Sequence, residues 1–298
     1  MSLNFTHLGL AYGLGGPGAG PEQGPQAVEG LQCFRELGPV RGLPVFSQKT
    51  VKTSDNSCPK HLREFLTFAE AAQPWLDTHC AGEQTPVFIG GDHSIGLVTF
   101  SFLHKKLFQE KGSAELGLLW VDAHADINTA STSPSGNLHG MVVANLLGMG
   151  VPELAQLYHP AIKLDPKNVA YVGLRDIDPG EEEYLSKLEI QRTSASEVRS
   201  LGLAEVLRKA LAVVEKCRDG FVLSFDMDVC DPSIAPGVST PVPGGLSREE
   251  MCTLLTQVGK SSKLRAAEFV ELNPSKDHER KTAELLVQGL KALAGISR

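Results

Sequence analysis

The amino-acid sequence predicts an α/β fold with a mostly parallel sheet. Short apolar runs alternate with helix-length segments from one end of the chain to the other. Several runs are continuously hydrophobic, such as Val87-Phe88-Ile89, Leu116–Val121 and Phe221–Phe225. That pattern suits strands buried on both faces by helices. No internal repeat, charge block or long linker interrupts the alternation, so the expectation is one domain over residues 1–298.

In chain order, strands are expected at Phe5–Tyr12, Val45–Val51, Thr85–Ile89, Leu116–Ala123, Asn168–Leu174, Ile190–Thr193, Phe221–Asp226 and Leu264–Leu272. A helix near Glu22–Phe34 follows a glycine-rich loop. Cys58–His79 places Leu62, Phe65, Leu66, Phe68 and Ala69 at helical spacing. Ser194–Cys217 begins with Ser-Ala-Ser-Glu, a capping-box pattern, and then sets Val198, Leu201, Leu207, Leu211 and Val214 along one face. Ser247–Val258 and Lys281–Leu293 complete the helices. Gly13–Gly18 formally matches a dinucleotide-binding fingerprint. However, Pro17 sits where that fingerprint must enter a helix, so a plain loop bordering a site is the better reading.

Composition narrows the function classes. The 298 residues are 42% hydrophobic and 21% charged, which excludes a disordered chain. No apolar stretch approaches the ~20 residues of a membrane span. Met1–Leu10 has no Lys or Arg and no long apolar core, so no secretory signal is expected. With 28 basic and 35 acidic residues the net charge is −7, which argues against nucleic acid as a partner. The six cysteines include no Cys-x-x-Cys pair and read as reduced thiols of a cytoplasmic protein.

Three segments carry chemistry. Asp122, His124 and Asp126 are spaced by two at the end of a hydrophobic strand, so an extended backbone would point all three to one side. Asp226 and Asp228 end a second such strand, and Gly90-Gly91-Asp92-His93-Ser94 ends a third. Like charges two apart repel unless a cation lies between them. The carboxyl edge of a parallel sheet is also where α/β sites form. The ligand candidates are therefore His93, Asp122, His124, Asp126, Asp226 and Asp228. Four carboxylates and two imidazoles without a thiolate suit manganese, with another divalent ion as the alternative, rather than a structural zinc. Six ligands exceed the need of one open ion. Shared carboxylates would hold two ions and activate a bridging water as hydroxide, which points to hydrolysis.

With their flanks Gly90–Ser94, Asp122–Asn128 and Ser224–Asp228, these motifs resemble the metal motifs of the ureohydrolase (arginase/agmatinase) family, and the match extends along the whole chain. The resemblance implies a three-layer α/β/α domain with a central, mostly parallel eight-stranded sheet and two Mn2+ per subunit. It implies hydrolysis of a guanidino compound to urea and an amine by the metal-bridging hydroxide, and a homo-oligomer, trimer or hexamer. Ser135-Gly136-Asn137 looks like the loop of the branch that acts on L-arginine. There this loop and Asn128 would hold the α-carboxylate, and Asp178 the α-amino group, with His124 and Glu181 also in the substrate site. Glu271 matches the residue facing the guanidinium, Thr240 a residue lining the pocket, and His139 the histidine proposed to carry a proton to the leaving amine. Asp126 would orient the hydroxide. Ser133-Pro134 and Met227, Val229 and Cys230 depart from the commoner family residues. The alternatives are an enzyme for agmatine or a related guanidino compound, a non-catalytic regulatory homologue, and a nucleotide-binding dehydrogenase suggested by the glycine loop.

Overall fold

The computed structural model describes residues 4–43 and 59–296. It contains an eight-stranded, wholly parallel sheet: β1 (Phe5–Leu10), β2 (Val40–Gly42), β3 (Thr85–Gly90), β4 (Gly117–Val121), β5 (Val169–Leu174), β6 (Gln191–Ser194), β7 (Phe221–Asp226) and β8 (Leu264–Val270). Their spatial order is β2-β1-β3-β8-β7-β4-β5-β6. The strand expected at Val45–Val51 lies outside the described residues, as does Cys58 at the start of an expected helix. The short edge strand β2 had no signal in the sequence, since only Val40 of its three residues is buried.

The helices are α1 (Gly24–Glu29), α2 (Leu62–His79), α3 (Ile95–Lys111), α4 (Val142–Leu146), α5 (Pro152–Ala155), α6 (Pro179–Lys187), α7 (Ala195–Leu201), α8 (Leu203–Val214), α9 (Arg248–Val258) and α10 (Lys281–Leu293). Strand alternation sends Phe88, Leu118, Trp120 and Val222 to a core under α2, α3 and α4. It sends Val87, Ile89, Leu119, Val121, Leu223 and Phe225 to a core under α1, α8, α9 and α10. Two cores on opposite faces make three layers. Each large apolar side chain fully buried there contributes roughly 1.5–3 kcal/mol of transfer free energy.

Two helical expectations need correction. Ser194–Cys217 is two helices rather than one: Gly202, at φ +82°, breaks the run between α7 and α8, although the capping box at Ser194 and Glu197 is formed. The helix near Glu22–Phe34 is fragmented into 3-10 turns at Pro21–Gln23 and Gln32–Leu37 around the short α1: Pro21 and Pro25 each sit in the first turn of a new element, and Leu31, extended at ψ 134°, separates α1 from the second 3-10 turn.

The strand order sets up the site. β3 and β4 follow one another in sequence but are separated in the sheet by β8 and β7. The carboxyl ends of these four strands lie side by side, and the charged motifs sit at those ends.

Candidate metal centre and active site

His93 follows β3 and is fully buried. Its Nδ1 lies 3.0 Å from Asp226 Oδ2, 3.1 Å from Asp122 Oδ2 and 3.3 Å from Asp126 Oδ2. His124 Nδ1 lies 3.1 Å from Asp228 Oδ2 and 3.4 Å from Asp122 Oδ1. Two ligand groups result, His93–Asp122–Asp226 and Asp122–His124–Asp228, each with its donor atoms within 4.8 Å of one another. Asp122 belongs to both, facing one with each oxygen. Asp126 adjoins the first group through His93. Hard oxygen donors with two imidazoles, arranged around a shared carboxylate, fit a pair of divalent ions.

The means of convergence differs from the extended strand anticipated. β4 stops at Val121, and Asp126 has φ +47°, so a turn rather than strand alternation brings its side chain back. The Asp226 side chain accepts the Asp228 N–H at 2.7 Å, capping a one-turn 3-10 helix that redirects the second carboxylate.

The electrostatics show what such a cluster costs on its own. Burial, together with Asp228 and Asp122, raises the Asp226 carboxyl well above its ordinary range. Burial and Asp122 do the same to Asp126. Burial alone would lower the His93 imidazole, but bonds and charges from Asp122 and Asp226 carry it well above its usual value. The carboxyls Asp226 and Asp126 thus resist ionisation and the His93 imidazole favours its charged form, the pattern of a site short of the positive charge that a cation would supply.

The groups behind these residues were not singled out from sequence. His93 Nε2 lies 2.7 Å from Ser224 Oγ, which donates to Glu268 Oε1 at 2.6 Å. Glu268 Oε2 in turn accepts Thr99 Oγ1 at 2.5 Å. This chain fixes the imidazole so that Nδ1 faces the carboxylates. Trp120 stacks on His93 at 4.0 Å and donates its indole N–H to Asp122 Oδ2 at 2.9 Å. Asp92 is also fully buried and accepts the N–H groups of Gly15 at 2.7 Å, Gly16 at 3.2 Å and Ser94 at 3.0 Å, and the Ser94 hydroxyl. Burial and Glu271 push its carboxyl up to about 6. The glycine loop thus borders the site, and the Gly15 carbonyl accepts the His139 N–H at 3.0 Å. Only glycine fits at Gly91, where a Cβ would fall 1.7 Å from the Tyr12 carbonyl oxygen. The only signal for Ser224, Glu268 and Trp120 in the sequence was their place on buried strands.

Glu271 stands just past β8 at φ +65°, its N–H bonded to the Gly91 carbonyl at 2.8 Å. Its Oε1 accepts the His93 N–H at 2.8 Å and meets His139 Nδ1 at 3.1 Å, while Oε2 is buried without a partner among the described residues. A buried, unpaired carboxylate oxygen is an open acceptor for a cationic ligand. Burial opposes protonation of His139, but the bond to Glu271 outweighs it and raises the imidazole to about 9.

The remaining expected residues form a rim. Asn128 donates to Asp178 Oδ2 at 2.8 Å and accepts Thr132 Oγ1 at 2.9 Å. Glu181 caps α6 by accepting the Asp178 N–H at 3.0 Å, and takes the Ile127 N–H at 3.1 Å. Burial raises its carboxyl to about 7. Ser135 Oγ accepts the Asn137 N–H at 3.2 Å, across the left-handed Gly136. Thr240 donates to Asp228 Oδ2 at 2.9 Å. Cys230 is buried, and burial pushes its thiol up, against a reactive thiolate. Among the described residues, no helix is long and apolar enough to cross a membrane.

Comparison with known proteins gives the same direction. A family model described as "Arginase family" matches residues 5–294. The chain is 33% identical over 295 residues to an arginase of Bacillus caldovelox, covering 97% of each. It is also similar to the solved structure of that species' arginase, with a TM-score of 0.86 at 32% identity and 98% of each chain covered. A third similarity is to the Entamoeba histolytica arginase solved with L-ornithine. There the TM-score is 0.87 at 30% identity, over 99% of this chain and 100% of the other.

Proposed function

The chain belongs to the arginase family of hydrolases, and from this we propose that it hydrolyses L-arginine to L-ornithine and urea, using two manganese ions. The observation that carries the reading is the pair of His/Asp ligand groups sharing Asp122. His93, Asp122, Asp126 and Asp226 would hold one ion, and Asp122, His124 and Asp228 the other. When bound, the ions supply Lewis acidity and an activated water.

The chain's own residues supply the rest. Glu271 Oε2 takes the guanidinium, since its other oxygen is already occupied. Asp126 orients the attacking water. Asp178 takes the α-ammonium, while Asn128, Ser135 and Asn137 face the α-carboxylate. Glu181 holds Asp178 and the metal loop in register. His139, held by its 3.1 Å contact with Glu271, gives a proton to the departing amine, which as a lysine-like amine has a high proton affinity (pKa about 10.4). The reading takes residues 1–298 as one domain in a cytoplasmic homo-oligomer, a trimer or hexamer as in the family resemblance.

Urea release from L-arginine and from agmatine, each with and without added manganese, tests the proposal. L-Arginine should be turned over far faster, and only with metal. A preference for agmatine would refute the substrate assignment. Failure to take up manganese at saturating concentration would refute the catalytic one.

A further inference from the structure

We propose that Lys60 is a specificity-determining residue that favours substrates bearing an α-carboxylate. The inference rests on the arginase reading of the Ser135–Asn137 loop and adds a residue to it. Lys60 lies just before α2 and is bound to that loop at three points. Its backbone N–H donates to the Gly136 carbonyl at 2.9 Å. Its Nζ donates to Asn137 Oδ1 at 3.4 Å. Its stem crosses Gly136, where a Cβ would meet Lys60 Cε at 3.7 Å and Cγ at 3.8 Å.

The loop itself is held in shape. Gly136 is left-handed at φ +69°, Ser133 Oγ accepts its N–H at 2.9 Å, and Asn137 is buried. Lys60 is exposed, but its backbone and its stem are tied to this fixed loop, which places the ammonium beside Asn137. No carboxylate among the described residues is paired with it. An ammonium has three donors, and Asn137 uses one. Asp178 lies beyond Asn128, to which it is bonded. The rim thus carries a cation beside the Ser135–Asn137 loop and an anion beside Asn128, the charge order that an α-amino acid zwitterion requires and a decarboxylated amine does not.

The test compares kcat and KM for L-arginine and agmatine in manganese-loaded wild type, Lys60→Met and Lys60→Arg. Lys60→Met should raise KM for L-arginine about fivefold at low salt, as befits an exposed charge pair, with kcat unchanged. Agmatine kinetics should stay the same, added salt should shrink the difference, and Lys60→Arg should restore it. An equal change for both substrates means that Lys60 only supports the loop, and overturns the inference. An unchanged arginine-to-agmatine ratio in an enzyme that prefers arginine also overturns it, while leaving the arginase reading standing. A wild type that prefers agmatine overturns that reading, and this inference with it.

Discussion

Replacing Asp226 by Asn should stabilise the metal-free protein and weaken the metal-loaded one. Asp226 and Asp122 present oxygens within 4.8 Å of each other in one buried group. Two unit charges at that separation repel by about 3.5 kcal/mol at an effective dielectric of ~20. The His93 imidazole lies 3.0 Å from one and 3.1 Å from the other and offsets part of this, leaving a net cost of about 1–3 kcal/mol. The sign follows from the Asp226 carboxyl, which burial, Asp228 and Asp122 raise above its unfolded value. Stability is therefore fully present below the unfolded pKa and is lost as pH rises through the folded pKa, where Asp226 takes up its charge. An amide removes that cost and still offers an oxygen to the Asp228 N–H. At pH 8, in chelator, the variant should melt roughly 2–8 °C above wild type. Manganese should reverse the order. A free ion at a hundred times its Kd stabilises wild type by about 2.7 kcal/mol per site, and the variant has lost a ligand of one site. Thermal melts of both proteins in chelator and in manganese decide it. A variant that melts below wild type without metal, or keeps the whole manganese shift, refutes the assignment of Asp226 to a charge-repelled metal group.

Other outcomes follow from the same geometry. Glu268→Gln should weaken manganese retention about 10–100-fold, read by equilibrium dialysis, because the chain from Glu268 through Ser224 orients His93. In metal-free protein, the His139–Glu271 pair contributes its full stability below pH 6.5 and loses it as pH rises through about 9; denaturant melts across pH 6–10 should show this slope reduced in His139→Asn. Gly15→Ala places a Cβ 2.6 Å from Ser94 Oγ and 2.7 Å from Asp92 Oδ1, so it should displace the loop that holds the His139 backbone and lower kcat. Gly16→Ala, whose Cβ would stand 3.5 Å from its nearest neighbour, should cost far less in the same urea assay.

The sequence by itself determined that hydrophobic strands end in carboxylates and imidazoles. Phe221–Asp226 and Lys281–Leu293 were legible to the residue, and the chemistry of the six ligand candidates followed from their types. These are local properties: apolar runs, alternation and capping act within a few residues, and the chain states them directly. Only the tertiary structure decided that β8 and β7 insert between β3 and β4, which brings Glu271 and Asp226 to His93 although they are far apart in the chain. Only it could show the left-handed turn at Asp126, the Ser224–Glu268 support behind His93, the Asp92 clasp on the glycine loop, and Lys60 lying across Gly136. Strand order and such contacts are set by pairing and packing between distant segments. A serine or glutamate on a buried strand carries no mark of its partner until the sheet places that partner opposite it.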